Sequence, residues 1–151
     1  MARIMVLIAA ALLCVAAAAT AQPVDGKGVF AHRVDVMKQL GKPFYLVLRR
    51  VAKGTAPFTP ETVEAANEVQ RLAPEIAPAL FSAGSDVGGS KIKPEIFGQP
   101  ERVVTLSRSV QEAVARLTVA AKSGDQAALA AAYDAANDAC MNCHNAFRVA
   151  E

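Results

Sequence analysis

The apolar positions of the chain divide it into an apolar leader and four stretches of helical period. Ile4 to Ala19 is an unbroken apolar run of 16 residues. Beyond it no segment alternates cleanly at period two, so strands are not expected. The first helical stretch is predicted over about Gly28 to Lys53. There Arg33, Met37, Leu40, Phe44, Val47 and Val51 recur at spacings of three and four and share a face. Pro43 lies inside it and removes an intrahelical hydrogen bond, which predicts a kink near Leu40 to Phe44. Gly54-Thr55-Ala56-Pro57 ends the stretch.

The second helix is predicted to start with Thr59 as N-cap, Pro60 as its first residue and Glu61 in its first turn. Val63, Ala66, Val69, Leu72 and Ile76 form its stripe, and Pro74 and Pro78 make its second half irregular. The longest loop runs from Phe81 to Gln99. The third helix begins near Pro100-Glu101 and stops at Ser123-Gly124. Its stripe is Val103, Leu106, Val110, Ala113, Leu117 and Ala120. The fourth spans about Asp125 to Arg148, with Leu129, Ala132, Ala136, Cys140, Cys143, His144 and Phe147 on one face. Together they predict an all-α fold, an antiparallel four-helix bundle. Ala128, Ala131, Ala132, Ala135, Ala136 and Ala139 would let something bulky lie close to the fourth helix.

Composition changes the picture at the N-terminus. Apolar residues make up 53% of the 151. Without residues 1–21 the share is roughly 47%, ordinary for a globular domain. Arg3, the apolar run and Ala19-Thr20-Ala21 fit a secretory signal peptide cleaved before Gln22, leaving one domain over residues 22–151. The rival reading is a retained anchor, but the run is shorter than the ~20 residues that span a bilayer. A lipoprotein site at Cys14 is disfavoured by Leu13 before it. The expected location is a bacterial periplasm, with no stable membrane insertion after cleavage. A formal charge of +2 and no basic run longer than Arg49-Arg50 give a nucleic-acid partner no electrostatic support.

Export leaves two cysteines, both within Cys140-Met141-Asn142-Cys143-His144. An oxidising compartment would normally pair free thiols, so something should occupy these. C-x-x-C-H is the attachment signature of c-type haem. On a helix, residues three and four apart share a face. Cys140 and Cys143 can each form a thioether to a haem vinyl group, and His144 can ligate the iron. A C-x-x-C redox pair would sit at a helix N-terminus, and this one lies near a C-terminus. Zinc would need a fourth ligand, and the other histidine is His32. A structural disulfide would have no use for His144. Past the leader, the methionines are Met37 and Met141. Met141, between the cysteines, cannot reach the far side of a haem. Met37 is either a second axial ligand or core filling. His32 is a weaker rival, better read as a surface or haem-edge residue.

These residues resemble the class II cytochromes c, the cytochrome c-prime family, over nearly all of residues 22–151. The haem site near the C-terminus, Cys140 to His144 followed by Phe147-Arg148, is the strongest match. Arg33 with Met37 to Lys42, Lys53 to Phe58, Ala83 to Asp86, Lys93 to Phe97 and Gly124 to Leu129 also fit. The family divides on the residue four after the arginine of the first helix. Leu or another non-ligand there leaves five-coordinate iron, and Met gives the low-spin cytochrome c-556 type. Met37 stands at that place, so the resemblance implies His144/Met37 ligation. Pro43 departs from the pattern, and the stretch after it is one residue longer than usual.

The resemblance also implies that Arg33 meets a haem propionate and that Arg148 sits beside the proximal histidine, where it disfavours a charged imidazole. Each has a plainer reading as a solvated helix charge. Phe97, Phe81, Phe58 and Tyr133 are candidate haem-pocket walls or ordinary core. Members of the family often form homodimers through the first two helices, and this sequence leaves that open.

The leading expectation is a periplasmic mono-haem electron carrier with His/Met-ligated low-spin iron, serving redox partner proteins. No Ser/His/Asp or paired-carboxylate arrangement suggests an enzyme. The second is a five-coordinate cytochrome c-prime that binds nitric oxide or carbon monoxide at an open distal site. A third is a helical interaction module whose haem is only structural.

Overall fold

The computed structural model describes residues 25–149. The leader, its cleavage site and Cys14 lie outside them. Among the described residues there is no strand, only an isolated antiparallel bridge between Ile92 and Arg148.

The first helical stretch, α1, runs unbroken over residues 26–52. It is α-helical over Gly26–Pro43, π-helical over Phe44–Leu48 and α-helical again over Arg49–Ala52. Asp25 caps its start, accepting a hydrogen bond from the Lys27 amide at 3.2 Å. Pro43 was expected to kink this helix. Just after it the helix widens into a π-turn, in which the Arg49 amide donates to the Phe44 carbonyl five residues back. A proline has no amide to offer the carbonyl four residues earlier. A π-turn takes up one more residue than an α-turn.

α2 covers Pro60–Leu72, with the Thr59 amide donating to Thr62 Oγ1 at 3.1 Å in a capping box. Short 3₁₀ turns follow at Ala73–Glu75 and Pro78–Phe81, where Pro74 and Pro78 bar a regular helix. α3 spans Pro100–Ser123 and ends on Gly124, whose φ of 72° is left-handed. α4 spans Gln126–Phe147. Asp125 caps it, accepting from the amides of Ala127 and Ala128 at 2.8 and 3.0 Å.

α1 packs on α2, α2 on α3 and α3 on α4, and the Arg49–Ala52 end of α1 returns to α4. The ring closes a four-helix bundle, as the apolar periods predict. Leu48, Leu117 and Leu129 are wholly buried at its centre. Each such side chain contributes about 1.5–3 kcal/mol. The stripes are broader than a strict 3.5-residue repeat. Ser107, Val114, Thr118 and Ala121 are buried on α3, while Thr62 and Ala65 replace Val63 on α2.

The alanines of α4 do not do what the sequence suggested. Ala136 is buried, Ala132 and Ala139 pack partly against the core, and Ala131 and Ala135 face solvent. α3 adds buried Ala113, Ala120 and Ala121. Small side chains let helix axes approach closely, so these residues serve helix packing.

The long loop is held at two places. Arg33 of α1, 5% exposed, reaches it with both terminal nitrogens. At the other end Lys93 closes the C-terminus of α4. Its amide donates to the Phe147 carbonyl at 2.7 Å, and its Nζ to the carbonyls of Asn145 and Ala146 at 3.1 and 3.3 Å. A cation on the last carbonyls of a helix is favourable by charge and geometry.

Candidate haem site

Between α1, the long loop and the last turns of α4 lies a cavity of about 420 Å³. Its walls are mostly apolar. Phe30, Val34, Met37, Leu40, Phe44 and Tyr45 come from α1. Val69 enters from α2, Ile76 from just after the 3₁₀ turn that follows it, and Val110 and Val114 from α3. Phe81, Ile92 and Ile96 belong to the connection between α2 and α3. α4 supplies Cys140, Cys143, His144 and Phe147, with Arg148 just beyond it.

All six site residues expected from the sequence therefore line one cavity: Arg33, Met37, Cys140, Cys143, His144 and Arg148. Helical spacing accounts for the last four, since positions three and four apart recur on one face. Met37 and Arg33 arrive from a helix about a hundred residues earlier, and only the bundle brings them near. The cavity lies in the volume range of about 300–1,000 Å³ typical of cofactor sites.

The two thiols are half-buried and unpaired with each other. Burial, and then the neighbouring Cys143, push the Cys140 thiol up to about 11. Burial raises Cys143 too, with Arg102 pulling the other way. These are the reverse of the depressed thiols of a redox C-x-x-C pair. No cluster of three or more His, Cys, Asp or Glu that could hold a metal ion exists among the described residues. Burial, and after it Arg148, lowers the His144 pKa and favours the neutral imidazole. That is the form that ligates a metal. The residues fit a covalently held haem: two thiols, one neutral imidazole and a thioether around an apolar space.

Both terminal nitrogens of Arg33 are engaged with protein. Nη1 donates to the Leu80 carbonyl at 2.7 Å and Ser85 Oγ at 2.9 Å. Nη2 donates to the Ser85 carbonyl at 2.6 Å and Ser90 Oγ at 3.1 Å. Its guanidinium also lies 5.5 Å from the Phe30 ring and 5.8 Å from that of Phe81. Burial lowers its pKa, with Asp86 opposing. His32 is on the surface, 4.0 Å from Glu75, and does not line the cavity.

Of the four candidate aromatic walls, Phe81 alone lines the cavity. Phe58 and Phe97 pack partly buried against the core. Tyr133 is buried and stacks on Phe44 at 4.7 Å. Phe30 and Tyr45 take the expected places. Tyr45 is off the predicted stripe, lies in the π-turn and lines the cavity. Lys38 and Lys91 also line the cavity and escaped the motif reading.

Among the described residues no helix is long and apolar enough to cross a membrane. The family profile Cytochrome C' matches residues 29–148. Cytochrome c' of Alcaligenes xylosoxydans xylosoxydans is 30% identical over 98 residues, 65% of this chain and 76% of the relative. Cytochrome c-554 of Cereibacter sphaeroides is 33% identical over 114 residues, 73% of this chain and 71% of the relative. Among solved structures, cytochrome c' from Rhodobacter Spheriodes superposes with a TM-score of 0.77 at 27% identity, covering 85% of this chain and 100% of that one. A ferrous cytochrome c prime variant from Alcaligenes xylosoxidans with bound NO gives 0.74 at 22% identity, covering 83% and 97%. The relatives' names reach the family and leave the c-556 type without support. With a four-helix bundle, a C-x-x-C-H cavity and a profile match across the described helices, this chain belongs to the cytochrome c' family, whose cofactor is covalently bound haem c.

Proposed function

We propose that this chain is a periplasmic haem c protein whose distal side, across from His144, takes nitric oxide or carbon monoxide. The observation that carries this reading is the apolar cavity with one imidazole, His144, in its lining. The cytochrome c' relatives, and the related structure with bound NO, add support. Cys140 and Cys143 would hold the haem by thioether links. His144 would present a neutral nitrogen to the iron, kept uncharged by burial and by Arg148. Phe30, Val34 and Phe44 would exclude water from the space above. Haem, when bound, supplies an iron that changes between ferrous and ferric and accepts an axial ligand. The chain would act by binding and by one-electron exchange with periplasmic redox proteins.

One observation favours a second reading. Met37 lines the same cavity as His144. A thioether that reaches the iron would close the distal side and make the chain a low-spin electron carrier. Visible spectra of the purified protein, oxidised, reduced and reduced under carbon monoxide, separate the two. Broad bands that shift with the gas are expected. Sharp α and β bands unmoved by the gas would replace the first reading with the second.

A further inference from the structure

We propose that the exposed side of α1 from Lys38 to Lys53 is a docking surface for an acidic protein, seated at the mouth of the haem cavity. Between Val36 and Pro60 the chain carries Lys38, Lys42, Arg49, Arg50 and Lys53 and no Asp or Glu. All five are exposed. Lys38 and Lys42 stand four apart, Arg49 and Arg50 follow two turns on, and Lys53 lies just past the end of α1, all five off its buried stripe. Two apolar side chains sit among them, Tyr45 at 37% and Leu46 at 61% exposure.

The patch adjoins the site. Lys38, Gly41 and Tyr45 line the cavity as well as bounding the patch. Arg49 and Arg148 lie within electrostatic reach of Tyr45. The nearby acids offset little of the charge. Asp134 pairs with Lys53 at 2.7 Å, and Asp35, a turn before Lys38, accepts from Gln39 at 2.6 Å. An apolar centre with a charged rim is the layout of a transient protein interface, where the charge steers approach. The whole chain carries a formal +2, so Lys38, Lys42, Arg49 and Arg50, beside the paired Lys53, form a local field. A second copy meeting this patch through itself across a two-fold axis would oppose like charges. The apolar area is too narrow for a bilayer surface, which takes a long amphipathic face.

The haem-loaded protein is titrated into fluorescein-labelled poly-L-glutamate at low salt, and binding is read by anisotropy. A triple variant, Lys42→Glu with Arg49→Glu and Arg50→Glu, should weaken binding by about tenfold or more. A charge-matched variant elsewhere, Lys27→Glu with Arg108→Glu and Arg116→Glu, should weaken it by about twofold or less. The single exposed change Leu46→Asp, which leaves the core untouched, should weaken it by about threefold. Equal losses in the two triple variants would overturn the proposal, because net charge alone would then explain binding. Binding to phosphatidylglycerol vesicles without binding to poly-L-glutamate would replace it with a lipid surface. Sedimentation showing a dimer that the first triple variant dissociates would replace it with a self-interface. These readouts do not depend on what binds the iron, so they stand apart from the gas test.

Discussion

Arg33 holds Ser85 twice, through the side-chain oxygen at 2.9 Å and the backbone carbonyl at 2.6 Å. The same guanidinium also takes the Leu80 carbonyl, so one side chain of α1 organises the start of the loop that walls the cavity. Hydrogen bonds to a charged donor contribute more than neutral ones, about 1.5–3 kcal/mol each. Arg33→Lys keeps the charge and loses the planar fork. It should destabilise the holoprotein by about 2–3 kcal/mol in urea unfolding. A change under about 0.5 kcal/mol would mean the loop is held elsewhere.

Met37→Leu distinguishes the two readings at the iron. The swap is nearly volume-conserving, so the fold should change by less than about 1.5 kcal/mol. Under the gas-binding proposal the absorption spectra of the variant match those of the parent. Conversion from low-spin to high-spin bands on substitution would show that the Met37 sulfur is a ligand.

Gly26 marks a close approach that no side chain can share. A Cβ there would lie 2.0 Å from the Gly84 carbonyl oxygen, a backbone atom of the loop. At Gly28 the nearest obstacle is the movable Asp25 carboxylate at 2.7 Å. Gly26→Ala should therefore cost about 1–3 kcal/mol and displace the loop. Gly28→Ala should be close to neutral or stabilising, because alanine favours helix. Thermal melts of the two variants side by side test the pair, and equal melting temperatures would refute the contact.

Cys140→Ala with Cys143→Ala removes both covalent links but leaves His144. Acidified organic solvent should then extract the pigment, whereas the parent retains it through both thioethers. Retention by the double variant would place attachment elsewhere.

Tyr133 ties stability to alkaline pH. Burial first, and then Tyr45, push its phenol up to about 12, against an ordinary value of 10. In the folded state the proton is held more tightly than in the unfolded chain. Between these two values the unfolded state binds fewer protons, so stability falls as pH rises. Below the ordinary value the contribution is fully present. Tyr133→Phe should flatten the fall above pH 10. Urea unfolding from pH 8 to 11 measures the slopes, and parallel curves would count against the assignment.

The sequence by itself determined the four helices, the start at Thr59 and the stop at Gly124, and the local chemistry of Cys140, Cys143 and His144. These are short-range matters. Capping acts within a turn, and a three- and four-residue spacing brings two thiols and an imidazole onto one face before any packing occurs. The α1 stripe also pointed Arg33 and Met37 inward. Tertiary structure alone decided what they meet there. Arg33 found the carbonyls of Leu80 and Ser85 some fifty residues on, and Met37 came to share a cavity with His144. It decided as well that the alanines of α4 bring helices together, and that the chain after Pro43 takes a π-turn that includes Tyr45 of the cavity lining. Periodicity tells which face of a helix is apolar. It does not tell which neighbour fills that face, because that depends on how four faces close around one core.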